Sequence, residues 1–257
     1  MDKTRVILHA LESFNLPDSL SEALVSMTEG LKSSAQSNLE AVIIYGSIAR
    51  GHYRPGQSDV NLLLLLKSIS SDELDKVESV LRIARNKVNA VPMIMTAQEV
   101  VRAADVFPVK FMHIKNYHVL LFGTDPFEEL KISPEHVRIR LEQELRNISI
   151  RLRNRYVSLH HDRTGSAALV SNMISSFAVQ MRTLLELTGN SLPAEHSTSA
   201  HLKAAASVFN LDEDALLAAS SLRRGEPQSM KEDEILARLM TCVDKAVEVA
   251  DKLEVRE

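Results

Sequence analysis

Apolar positions fall along this chain in two styles. Up to about residue 130 they come as short apolar runs, at 41–45, 60–66 and 91–95, set between polar stretches. Runs of this length, rich in β-branched side chains and bounded by polar segments, mark strands buried on both faces. All three are therefore predicted strands. Leu62 to Leu66 is leucine-rich, so a buried helix is the alternative there, but its shortness and the polar stretch 51–59 ahead of it favour a strand. Residues 71–88 place Leu74, Val77, Leu81 and Ala84 on one helical face behind an N-cap at Ser71 or Asp72. Residues 111–122 are predicted as further extended structure, and 105–110 with 123–125 as punctuation before a second domain. The alternation describes a small α/β sheet domain over residues 1–130.

From Ser133 onward the pattern turns helical. Val137, Leu141, Leu145, Ile148, Leu152, Tyr156 and Leu159 recur at intervals of three and four, one core stripe along a long helix opened by Ser133-Pro134. Residues 165–187 form a second predicted helix ended by Gly189-Asn190, followed by a polar loop at 192–199. Shorter helices at 201–208 and 212–221 and a long one at 232–253 complete it. An antiparallel helical bundle over 131–257 is the expected packing.

The stretch with the most chemistry is Gly46-Ser47-Ile48-Ala49-Arg50-Gly51, followed by Ser58-Asp59-Val60-Asn61. A glycine at the end of a strand lets the backbone approach a phosphate without a side-chain clash. The Ser47 hydroxyl and the amides opening a following helix could then hold phosphate oxygens. Arg50, one turn on, is placed for a charge-assisted contact. Asp59 heads the next strand, and residues 59 and 61 share a face because side chains alternate with period two. Two carboxylates there would clamp divalent ions against a triphosphate.

This pattern resembles the DNA polymerase β-like nucleotidyltransferase superfamily, with its signature G-S-x-A-R-G and then S-D-x-D. The likeness is to the kanamycin and minimal nucleotidyltransferases in particular. The resemblance implies a mixed-sheet α/β domain, here followed by an all-α domain. The implied reaction moves a nucleoside monophosphate from an NTP to a hydroxyl, with Mg²⁺ and release of pyrophosphate. Carried over residue by residue, Gly46, Ser47, Arg50 and Ser58 would bind the nucleotide, and Asp59 and Asn61 stand at the catalytic positions, with Asp59 as metal ligand. A ligand-free strand-to-helix turn is the plain alternative for residues 46–51, and a cap or loop ion pair for Asp59.

One departure decides how far this goes. The second carboxylate of the pair is Asn61, and the family's third acid, on a later strand, corresponds best to Asn89. An asparagine carbonyl can ligate a hard cation, but it adds no charge and takes no proton. Asp59 with nucleotide phosphates could hold one Mg²⁺ at most. Two outcomes stay open: an impaired nucleotidyltransferase-like protein that binds a nucleotide or a partner, or an enzyme with an altered metal site.

Composition trims the partner list. The 257 residues carry 30 Lys+Arg and 34 Asp+Glu, a net of −4, with neither half basic. Long nucleic acid is disfavoured as a substrate, since polyanion binding needs a continuous positive surface; an NTP with a small-molecule or protein acceptor fits better. The single Cys242 excludes an internal disulfide and a multi-cysteine zinc site. The longest apolar run is far below the roughly 20 residues of a membrane span, and the charged residues among the first ten argue against a signal peptide. A cytoplasmic protein is expected, and an apolar bundle surface is compatible with a homodimer. The arginines of the long helix are expected on a solvated face with pairs such as Glu142 and Arg146. Arg153 or Arg155 with His160 also fits the short R-x4–6-H pattern of HEPN-type ribonucleases, a weak signal in an arginine-rich helix. His160 and His161 are neighbours that share no helix face.

Overall fold

The computed structural model describes residues 7, 9–14, 16–158, 166–195, 197–226 and 229–255, and the chain divides into two compact units, Met1–Ile132 and Ser133–Glu257. In the first, α1 (Asp18–Ala35) leads into β1 (Leu39–Tyr45). Then come β2 (Val60–Leu66), α2 (Ser71–Val88), β3 (Ala90–Met95), α3 (Ala97–Val106), α4 (Pro108–Asn116) and β4 (His118–Gly123). The strands make one mixed sheet in the order β3-β2-β1-β4, with β1 antiparallel to β2 and β4, and β2 parallel to β3. Parallel neighbours need a crossover, and α2 supplies it.

Both faces of the central strands β1 and β2 are covered, which is why their sequences are mostly apolar without alternation. Val42, Ile44, Leu62 and Leu64 pack with Leu24 and Leu31 of α1 and Val77 and Ala84 of α2. Ala41, Ile43, Leu63 and Leu65 pack on the other face with Val100 and Ala104 of α3, Phe111 and Ile114 of α4, and Phe127 and Leu130 beyond β4. β1 and β4 slip register between Val42 and Ile43, and Gly123 lies so close to β1 that a Cβ there would stand 1.8 Å from the Glu40 carbonyl oxygen.

The structure corrects three expectations. The run 111–122 is not one extended segment: residues up to Asn116 belong to α4, and the strand starts at His118. Pro108 sits at the start of α4, and Phe111 and Ile114, three apart, bury the same helix side, a period that length and apolarity alone do not reveal. The supposed punctuation at 105–110 lies in α3 and α4, inside the sheet unit. The N-cap of α2 is Ser70, one residue ahead of the predicted cap. Glu99, beyond β3, closes a capping box with Thr96, each side chain bonded to the other's backbone amide.

The second unit is helical: α5 (Pro134–Ser158), α6 (Ser166–Leu187), α7 (Thr198–Phe209), α8 (Glu213–Arg223) and α9 (Glu232–Asp251). The predicted stripe of α5 is buried from Val137 through Leu152, but Tyr156 is 38% exposed, and Leu159, His160 and His161 lie outside the described residues. Arg146 pairs with Glu142 at 2.7 Å as expected, and Ser149 and Arg153 both bond Asp244 of α9. Asp212 caps α8 and receives a two-pronged pair from Arg238, at 2.7 and 2.8 Å, beside buried Cys242. Among the described residues no helix is long and apolar enough to cross a membrane.

Candidate functional site

The motif residues gather where β1 ends and β2 begins. At Gly46 the backbone takes φ +81°, a region open to glycine, and the chain leaves the sheet. Residues 46–52 then form a single turn and not the helix expected from the sequence: the Arg50 amide bonds the Gly46 carbonyl, Gly51 that of Ile48, and His52 that of Ser47. Gly51 again takes a positive φ, +72°, and a bend at 54–58 returns the chain to β2. Ile48 is fully buried in the core shared with α1 and α2, so the turn is anchored by packing.

Within that turn the Ser47 hydroxyl oxygen is buried and has no hydrogen-bond partner among the described residues. A buried hydroxyl left so is costly, and rotation toward a ligand oxygen would satisfy it. Ser58 has local work: its hydroxyl accepts from the Arg54 amide at 3.0 Å, and its own amide bonds the Arg54 carbonyl. Its hydroxyl hydrogen remains available to an acceptor. Arg50 is half-buried on the turn.

Strand register arranges the rest. Tyr45 pairs with Asn61 on β2 and with His118 on β4, and Asn61 pairs with Val91 on β3. Directly paired residues share a face, so His118, Tyr45, Asn61 and Val91 make one row across all four strands. This is the face that Leu63, Leu65, Met93 and Met95 bury against α3 and α4. Asp59 and Asn89 stand one step further out, where Val60 pairs with Ala90. Burial pushes the Tyr45 phenol above its ordinary value. At the other end of the row, His118 bonds Asp125 at 2.9 Å and packs at a tilt against the Phe127 ring, tying the 125–127 loop to the sheet.

Asparagines stand at both positions, 61 and 89, where the resemblance led to the expectation of acids. The Asn61 amide lies against Gly46, 2.7 Å from where a Cβ there would be. Asn89, in the left-handed conformation at the C-cap of α2, donates its side-chain amide to Asp59 Oδ1 at 2.5 Å. Asp59 is thus the one carboxylate among the predicted site residues. Among the described residues no group of three or more His, Cys, Asp or Glu is placed to hold a metal ion. A cavity of 490 Å³ lined in part by Leu20, Ala23, Tyr53, Pro55, Lys87 and Val88 contains none of Gly46, Ser47, Asp59 or Asn61. The sequence pointed to Gly46, Ser47, Asp59 and Asn61 directly. That Tyr45 and His118 share a row with Asn61 follows from strand register, which no motif encodes.

No family model matches the chain, and no curated protein matches it. Among solved structures, it is similar to a spectinomycin adenyltransferase from Enterococcus faecialis determined with ATP and spectinomycin. The sequences are 14% identical, the match covers 90% of this chain and 99% of that one, and the TM-score is 0.54. The fold is shared with that structure: a mixed-sheet α/β unit followed by a helical one.

Proposed function

We propose, from this shared fold, that the chain binds a nucleoside triphosphate over the turn at 46–51 and that metal-dependent transfer is weak or lost. Gly46 supplies the close backbone approach, Ser47 and Ser58 offer hydroxyl hydrogens, and Arg50 adds positive charge for the phosphates. The observation that carries the second half is the neutral surrounding of Asp59. In transfer, an acceptor hydroxyl attacks the α-phosphorus, the bond to pyrophosphate breaks, and the hydroxyl proton needs a base. Asn61 and Asn89 cannot take that proton, and together they remove two negative charges from the end of the site where divalent cations would bind. A two-ion clamp does not fit this donor set.

The second reading keeps the enzyme, with transfer to a small-molecule or protein hydroxyl and at most one Mg²⁺ between Asp59 and the phosphates. It is favoured by exposed Asp59, which a ligand can reach, and by the similar adenyltransferase, whose structure holds ATP and spectinomycin.

The deciding experiment compares wild type, Asn61→Asp and Asp59→Ala for ATP binding and for transfer of α-labelled phosphate to protein and aminoglycoside acceptors. Wild type is expected to bind ATP with little Mg²⁺ dependence and release no pyrophosphate. Transfer by wild type that disappears in Asp59→Ala would establish the second reading instead. Absence of nucleotide binding would remove both.

A further inference from the structure

We infer that Asn89, and not Asn61 alone, weakens divalent-cation binding at Asp59: it is a positioning residue whose side-chain amide engages Oδ1, so that a cation has to compete with it for that oxygen. Three observations carry this. The bond itself is direct, Asn89 Nδ2 to Asp59 Oδ1. Asn89 cannot drift away, because it is pinned from both sides: its amide bonds the Arg85 carbonyl as the cap of α2, and its carbonyl accepts from the Val60 amide at 3.2 Å, across the β2/β3 pair. The Asn61 amide, by contrast, rests on Gly46. The two asparagines therefore do different things: Asn61 buttresses the turn, and Asn89 engages the acid.

The left-handed backbone of Asn89, φ 52°, explains an asparagine as a cap, since asparagine and glycine tolerate that region. It does not explain where the side chain points. Glycine is thus the clean variant, because it keeps the cap and removes only the amide. The inference rests on the proposed function only in placing Asp59 at the phosphate end of the site, and its test needs no nucleotide.

Mn²⁺ binding to the full-length chain, read by electron paramagnetic resonance without nucleotide, would be compared in wild type, Asn61→Asp, Asn61→Asp/Asn89→Gly and Asn61→Asp/Asn89→Asp. Wild type is expected to bind Mn²⁺ weakly, and Asn61→Asp, which adds a carboxylate but leaves Asp59 engaged by Asn89, only a few-fold more tightly. Releasing Asp59 with Asn89→Gly should tighten binding by about tenfold, the size of one charge-assisted hydrogen bond. Asn89→Asp, which adds a carboxylate, should tighten it further. Asn61→Asp alone binding as tightly as either double variant would overturn the inference, as would an Asn89→Gly double variant no tighter than Asn61→Asp. Far-ultraviolet circular dichroism checks that each variant is folded. Failure of ATP binding in a separate titration would end the nucleotide reading while leaving the Mn²⁺ result to stand or fall by itself.

Discussion

Gly46→Ala tests whether the turn is held by its backbone or by Asn61. Two costs are separable. An L-residue in the left-handed region costs about 1–2 kcal/mol, and Gly46 sits at φ +81°. The new methyl would also stand 2.7 Å from Asn61 Nδ2. That atom is the far end of a side chain, so it can swing aside, at about 0.5–1.5 kcal/mol for a strained rotamer. The single substitution should therefore destabilise the sheet unit by about 2–3 kcal/mol. In an Asn61→Ala background only the backbone cost should remain, about 1–2 kcal/mol, leaving the rest as coupling between the two positions. The chain has no tryptophan, and three of its four tyrosines, Tyr45, Tyr53 and Tyr117, lie in the first unit, so urea denaturation followed by tyrosine emission reports on it. Equal costs in both backgrounds would refute the contact with Asn61. No cost at all in the Asn61→Ala background would refute the positive φ.

Gly123→Ala should be worse than Gly46→Ala, about 3 kcal/mol or more, because the atom in the way is the Glu40 carbonyl oxygen, which is backbone and cannot swing aside; the same urea titration ranks the two. Asp59→Asn should strengthen ATP binding in EDTA by about fivefold, since it removes a charge repelling the phosphates by about 1 kcal/mol through water; weakened binding in a fluorescent-nucleotide titration would show that Asp59 works through a cation. Arg238, and then the Ala215 amide, hold the Asp212 carboxyl below its ordinary value. A depressed acid stabilises the fold above its unfolded pKa and loses that contribution as pH falls through its folded one. The stability gap between wild type and Asp212→Asn should accordingly be full at pH 7 and shrink below about pH 4, measured by urea denaturation at both pH values.

The strands were legible because a sheet buried on both faces writes itself as unbroken apolar runs, and residues 41–44 and 62–66 do so. The boundary inside 111–122 was not, since Phe111 and Ile114 are as apolar as a strand and only their spacing of three distinguishes a helix. Tyr156 continues the stripe of α5 by spacing yet is partly exposed, because periodicity gives the side of a helix and not where its neighbours stop. In the site, the glycine turn and the two positions on β2 could be read from a local pattern. The helix expected after Ser47 did not form, as positive φ at Gly51 ends it after one turn. Asn89 was legible as a residue standing where an acid was expected, but its bond to Asp59 depends on the parallel register of β2 and β3, which is a property of two segments 30 residues apart.

The placement of Asn89 at the last cap of α2 makes the length of that helix part of the site. Its 18 residues run from Ser71 to Val88 and deliver the cap beside Asp59. One residue added to or removed from α2 would rotate the cap about the helix axis by about 100° and shift it by about 1.5 Å. Because Asn89 is also tied to Val60 across the β2/β3 pair, such a change would set the helix cap against the strand register even with every residue of the motif intact. An insertion or deletion in α2 would thus act twice, on the packing of Val77 and Ala84 and on the strand ends.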